Sequence, residues 1–88
     1  MQSLKQAKNY LFEDADETIG DRVYRVRLQA DYTQTELGLL ILSCQNIISR
    51  IEIGSRDPRA SEIVAIAKTC NCTAEYLLYG TRINAGRR

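Results

Sequence analysis

The strongest constraint on this chain is a pair of helix signals set close together. Thr33 stands three residues ahead of Glu36. This is the spacing at which a threonine hydroxyl and a glutamate carboxylate satisfy each other's backbone N–H groups at the start of a helix. The helix it opens is broken near Leu42-Ser43, and a second begins at Gln45 and stops at Gly54. Glycine readily takes the left-handed conformation that ends a helix, and Asp57-Pro58 marks the loop beyond. Segments this short are not stable alone in water. They have to pack on each other and on neighbouring helices.

Apolar spacing supplies those neighbours. Ile19, Val23, Val26 and Ala30 recur at three- and four-residue steps, which predicts a first helix over 19–30 with Thr18 as its N-cap and Asp21 as the matching acid. Asp31 ends it. The second helix is expected over 34–41 and the third over 45–53. A fourth is expected over 60–69, with Ile63, Ile66 and Ala67 inward. Asn71 tolerates the left-handed region and ends it. Thr73 caps a fifth helix reaching about Leu78, closed by Gly80. No segment alternates with the period of a strand. The expected fold is therefore all-α, a compact five-helix bundle. Leu4, Ala7 and Leu11 also fall at helical steps, which predicts a short extra helix at the N-terminus, followed by an acidic linker. The expected division is 1–17 extension, 18–80 domain and 81–88 flexible tail.

Composition excludes more than it selects. Of 88 residues, 44% are hydrophobic, and no apolar run approaches the length that spans a bilayer. The N-terminus carries no secretion pattern, so a cytoplasmic protein without membrane attachment is expected. The chain has no histidine, no glycine-rich phosphate loop and no nucleophile motif, which argues against an enzyme. Cys44, Cys70 and Cys72 are an odd number and lack the further ligands a zinc site wants. They read as buried structural thiols, and no metal or cofactor is expected. The net charge is +1. Residues 1–18 carry two lysines against four acids, and residues 19–88 carry ten basic against seven acidic groups. Any affinity for a polyanion must therefore come from local placement of arginine.

Two helices about a tight break, the second beginning with amides, carrying an arginine and ending beside a basic loop, have the anatomy of a helix-turn-helix. In that motif the second helix enters the major groove of DNA. The chain resembles the phage repressor and Cro family of helix-turn-helix domains, the XRE type, from about Ile19 to Gly80. The resemblance rests on features in sequence order. These are Arg27 late in the first helix; Thr33-Gln34-x-Glu36-Leu37; Ile48-Ser49-Arg50-Ile51-Glu52-x-Gly54 followed by Arg56-Asp57-Pro58; Ile66-Ala67-Lys68; and Ala74-Glu75-Tyr76-Leu77-Leu78-x-Gly80. Five positions depart from the family pattern. Leu42 replaces the usual turn glycine, Ile53 replaces an asparagine, Leu39 and Leu40 replace polar residues, and Asp31 stands where glycine often ends the first helix.

The chemistry of the third helix agrees with the resemblance. Gln45 and Asn46 each offer a donor and an acceptor, the pattern complementary to adenine N6 and N7, and Arg50 suits guanine O6 and N7 or a phosphate. These three, with Cys44 beside them, are the expected base-facing residues. Gln34 is expected to hold a phosphate and to brace Gln45. Ser43, Ser49, Arg56 and Arg59 are the other expected phosphate contacts. Of Ser43 and Cys44, serine is the better helix cap. Ile48 and Ile51 should be core. The resemblance further implies that Arg27 and Glu52 pair across the domain and set the angle of the reading helix.

The resemblance thus implies a sequence-specific transcriptional regulator, a repressor that binds a palindromic operator in double-stranded DNA as a homodimer. The alternative is an antitoxin-like or other protein-interaction module on the same fold. It is favoured by Leu39, Leu40 and Ile47, which form a possible interface with a protein partner. The first expectation for Leu39 and Leu40 is that residues 1–12 fold back as a helix, with Leu4, Leu11 or Phe12 covering them; the alternative there is a dimer or a partner protein.

Overall fold

The computed structural model describes residues 17–80. They form five helices: α1 (Ile19–Gln29), α2 (Gln34–Leu40), α3 (Gln45–Ile53), α4 (Ala60–Thr69) and α5 (Ala74–Tyr79). Among the described residues there is no strand and no helix long and apolar enough to cross a membrane. The expected N-terminal helix, most of the acidic linker and the C-terminal tail lie outside the described residues. The five helices expected between residues 18 and 80 are present, three of them with ends that differ by one residue: α1 closes at Gln29, α2 at Leu40 and α5 at Tyr79.

Local chemistry starts these helices. Thr18 Oγ1 accepts from the Asp21 N–H at 3.0 Å, and Asp21 Oδ2 accepts from the Thr18 N–H at 3.2 Å. Thr33 and Glu36 do the same for α2 at 3.0 and 2.8 Å. Thr73 caps α5 through the Tyr76 N–H at 2.9 Å. In α4 it is Glu62 that reaches back to the Arg59 N–H at 2.8 Å. The exception is α3. Its N-cap is Cys44, with no side-chain cap hydrogen bond, so Ser43 does not cap as expected. Ser43 sits one residue too early because its own N–H is spent on the Gly38 carbonyl at 2.7 Å, closing off α2.

The break between α2 and α3 is made without a turn glycine. Leu42 itself takes φ +61°, and Asp31 and Asn71 take φ +70° and +60° at two other helix ends. The Leu42 side chain is 95% exposed, so this residue gains little from burial to offset its backbone conformation. Close approach is supplied instead by Gly38. A Cβ there would lie 2.5 Å from the Cys44 carbonyl carbon, so α2 can pack this tightly on the start of α3 only without a side chain.

The core is one apolar cluster fed by all five helices. Val23 and Val26 of α1, Leu37 of α2, Ile48 and Ile51 of α3, Ile63 and Ile66 of α4 and Leu77 of α5 are all buried. Cys70 is buried and Cys72 half-buried. Burial pushes the Cys70 thiol up to about 11 and also raises Cys72, as fits structural thiols. Cys44 departs from that expectation, because its N-cap position on the open end of α3 leaves it exposed.

A buried arginine of α1 closes the end of α5. Arg22 is buried, and its guanidinium donates to the carbonyls of Leu77 at 2.8 Å and Leu78 at 3.0 Å, satisfying the open C-terminal end of α5. Glu17, assigned by sequence to the linker, is instead packed in, with a side chain only 1% exposed that pairs with Arg25 and Arg22.

Candidate nucleic-acid interface

With 3.6 residues per turn, successive side chains on a helix are rotated by about 100°. On α3 that spacing puts Gln45, Asn46, Ser49 and Arg50 on one arc, opposite Ile48 and Ile51. The structure agrees: Gln45, Asn46 and Arg50 are exposed, Ser49 is half-buried, and Ile48 and Ile51 are buried. The burial of Ile48 and Ile51 in the core is therefore what turns the amides and the arginine outward. Ile53, where the family has asparagine, falls on the same arc one turn beyond Ser49 and is 75% exposed.

The first residue of α3 is not free to wander. Gln45 Nε2 donates to Gln34 Oε1 at 2.7 Å, Gln34 Nε2 donates to Glu52 Oε1 at 2.9 Å, and Glu52 is paired with Arg27. Arg27 donates from Nε to Glu52 Oε2 at 2.6 Å, from Nη2 to Glu52 Oε1 at 3.1 Å, and from Nη1 to the Tyr32 carbonyl at 2.8 Å. Its guanidinium also lies 5.4 Å from the Tyr24 ring centre, within cation–π range. Every nitrogen of Arg27 is thereby engaged, and its hydrogen bonds to Glu52 raise its pKa above the ordinary value. Four residues from three helices, Arg27, Glu52, Gln34 and Gln45, form one continuous chain. A cleft of 520 Å³ runs beside it, lined by Arg27, Tyr32, Thr33, Gln34, Thr35 and Gln45 among others.

The basic loop after α3 is organised differently from the sequence expectation. Gly54 (φ +86°) ends the helix, and the Ser55 N–H returns to the Arg50 carbonyl at 3.0 Å. Arg56 forms a two-point pair with Glu62 of α4 at 2.9 and 3.1 Å. This pairing holds the Glu62 carboxyl below, and the Arg56 guanidinium above, their ordinary pKa values. Arg59 is exposed, and no side-chain ion pair engages it among the described residues. Ser43 is half-buried at the turn, and Cys44 is exposed at the start of α3.

The apolar residues separate. Leu39 is 66% and Leu40 52% exposed, and together with Tyr32 and Glu36 they line a shallow groove. Ile47 does not line that groove. It is half-buried against the core.

No nearby group of acidic, cysteine or histidine side chains among the described residues could hold a metal ion.

Comparison with known proteins places this arrangement in a family. The crystal structure of the P22 c2 repressor in complex with synthetic operator 9T superposes with a TM-score of 0.70 at 26% identity, covering 73% of this chain and 97% of that one. The solution structure of the DNA-binding domain of the P22 c2 repressor gives 0.69 at 26% identity, covering 73% and 84%. Curated protein sequences give no match. The helix-turn-helix family model matches residues 23–77, which spans most of α1 through Leu77 of α5. The chain belongs to the helix-turn-helix family, in its phage repressor-like XRE type.

Proposed function

We propose that this protein is a transcriptional regulator that binds double-stranded DNA by laying α3 in the major groove. The observation that carries the reading is the exposed arc of Gln45, Asn46 and Arg50, set opposite the buried Ile48 and Ile51. The likeness to a repressor whose structure was determined with operator DNA supports it. In this reading Gln45 and Asn46 meet base edges, adenine being the base whose donor and acceptor an amide matches, and Arg50 meets guanine or a phosphate. Gln34, Ser43, Ser49 and Arg59 contact the backbone, and the Thr35 hydroxyl, on the same cleft as Gln34, adds a donor there. Such contacts set register and salt dependence without reading sequence. Arg56 joins them only by exchanging its Glu62 pair for a phosphate. Cys44 borders the base-facing surface.

The protein acts as a repressor, without catalysis, on an operator of two half-sites bound by a dimer. Half-sites about 34 Å apart place two copies of α3 on one face of the duplex. Selection of bound sequences from a random duplex library at fixed salt tests the reading. A palindromic consensus is the expected result. Enrichment of no sequence, with binding that depends only on salt, would overturn it.

A further inference from the structure

The Arg27–Glu52 pair has a chemical consequence at the other end of its hydrogen-bonded chain. We infer that it determines base specificity: Arg27 and Glu52 act as positioning residues that fix, through Gln34, which way round the Gln45 amide faces the groove. The inference rests on the proposed reading of Gln45 as a base contact.

An amide side chain can present its oxygen and nitrogen in either order, and ordinarily only its hydrogen-bond partners decide between them. Here a charge decides. The Glu52 carboxylate, both of whose oxygens accept from Arg27, can only accept. The Gln34 atom 2.9 Å from Glu52 Oε1 must therefore be Nε2. That turns Gln34 Oε1 toward Gln45, where it too can only accept, so the Gln45 atom 2.7 Å away must be Nε2. One N–H of Gln45 is consumed, and its Oε1 and remaining N–H form an edge whose donor and acceptor have a fixed spatial order. Adenine presents an N7 acceptor beside an N6 donor. The reversed order would instead suit the N4 donor of cytosine beside the O6 acceptor of its paired guanine. A locked amide discriminates between these, and an unlocked one can turn to serve either.

The polarity is set from the core, because the Arg27 and Glu52 side chains are only 8% and 5% exposed and bulk water does not compete for the carboxylate. Neither residue touches DNA in this account. Their effect on specificity passes through two amides.

The test measures affinity of the full chain for duplexes carrying each of the four base pairs at every position of the selected site. Gln45→Ala identifies the base pair that Gln45 reads. At that pair, Glu52→Gln and Gln34→Met should each reduce discrimination from roughly tenfold or more to within about threefold. Discrimination at pairs relaxed by Arg50→Ala should stay intact. Gln34→Met leaves the ion pair in place, so it reports even where Glu52→Gln is too unstable to assay. The inference is overturned if Glu52→Gln and Gln34→Met weaken all four base pairs equally. If Gln45→Ala relaxes no position, the base-contact reading itself falls, and the inference with it.

Discussion

Glu52, at the end of α3, grips Arg27 of α1 with both carboxylate oxygens, at 2.6 and 3.1 Å. The pair ties the helix proposed to read DNA to the helix that crosses behind it. Near the other end of α1 the same two helices approach so closely that a Cβ on Gly20 would lie 2.3 Å from the Ile51 carbonyl oxygen. One contact is polar and specific in direction, and the other is steric. Together they fix both the separation of α1 and α3 and the rotation of α3 about its axis.

Removing either partner should be costly. Glu52→Ala leaves the Arg27 guanidinium buried with the Tyr24 ring and the Tyr32 carbonyl but no counter-charge, and strands Gln34 Nε2. Arg27→Ala leaves a buried carboxylate. Each should lose ~3–5 kcal/mol in thermal or denaturant melts, the usual consequence of leaving one charge of a buried pair uncompensated. Wild-type melting of both variants would show that the pair does not stabilise the fold.

Two substitutions around the turn should have opposite signs. Gly38→Ala improves helix propensity but drives a methyl group into the Cys44 backbone, which has little room to yield. A net loss of ~1–3 kcal/mol is expected from overpacking. Leu42→Gly relieves a left-handed leucine, worth ~1–2 kcal/mol, against ~0.4–1 kcal/mol of added unfolded-chain entropy. A gain of roughly 0.5–1 kcal/mol is expected, read as a raised melting temperature, with little burial lost at a side chain that is 95% exposed.

The Arg56–Glu62 pair predicts an acid-dependent stability. Glu62 is held below its ordinary pKa chiefly by its hydrogen bonds to Arg56. A depressed carboxylate stabilises the fold above its unfolded pKa of about 4.3, and that contribution is lost as pH falls through the lower folded value. Melts over this acid range should fall less steeply for Glu62→Gln than for the wild type. Parallel curves would show that the pair makes no net contribution.

The thiols should react in order of exposure. Cys44 should be alkylated first by a neutral-pH thiol reagent, with Cys70 protected by burial and by a pKa of about 11. Because the folded value of Cys70 is raised, its contribution to stability is complete below the unfolded thiol pKa of about 8.5 and declines as pH rises toward the folded value. Peptide mass spectrometry of briefly alkylated protein checks the order. Modification of Cys70 as fast as Cys44 would mean that the end of α4 opens readily.

On DNA, base and phosphate contacts should separate. Gln45→Ala should cost ~1–3 kcal/mol on a selected site and relax one base position. Arg59→Ala should weaken all sequences alike and reduce the slope of log affinity against log salt by about 1. Measuring both variants on the selected site and on unrelated DNA at several salt concentrations distinguishes them. An Arg59→Ala variant with an unchanged slope would remove Arg59 from the phosphate contacts.

Sequence and structure divide the account along a physical line. The helices between residues 18 and 80 and their starts were legible, and their ends to within one residue, because capping boxes, apolar steps and terminal glycines act within a few residues of chain. Thr18, Thr33 and Thr73 do at their helix starts what their sequence neighbours require of them. The outward arc of Gln45, Asn46 and Arg50 was legible for the same reason, since the positions of Ile48 and Ile51 dictate it. Ser43 misled because the choice of cap depends on where α2 ends. The partner of Arg56 was also settled elsewhere, by the approach of α4. Arg22 and Glu17 gave no local signal, because the carbonyls of Leu77 and Leu78 become neighbours of Arg22 only when the chain closes. Sequence by itself determined which segments are helical and which of their faces are apolar, through interactions spanning about one helical turn. Tertiary structure alone decided which charged side chains meet, because hydrogen bonds are directional and short-ranged and their partners here are brought together from distant parts of the chain.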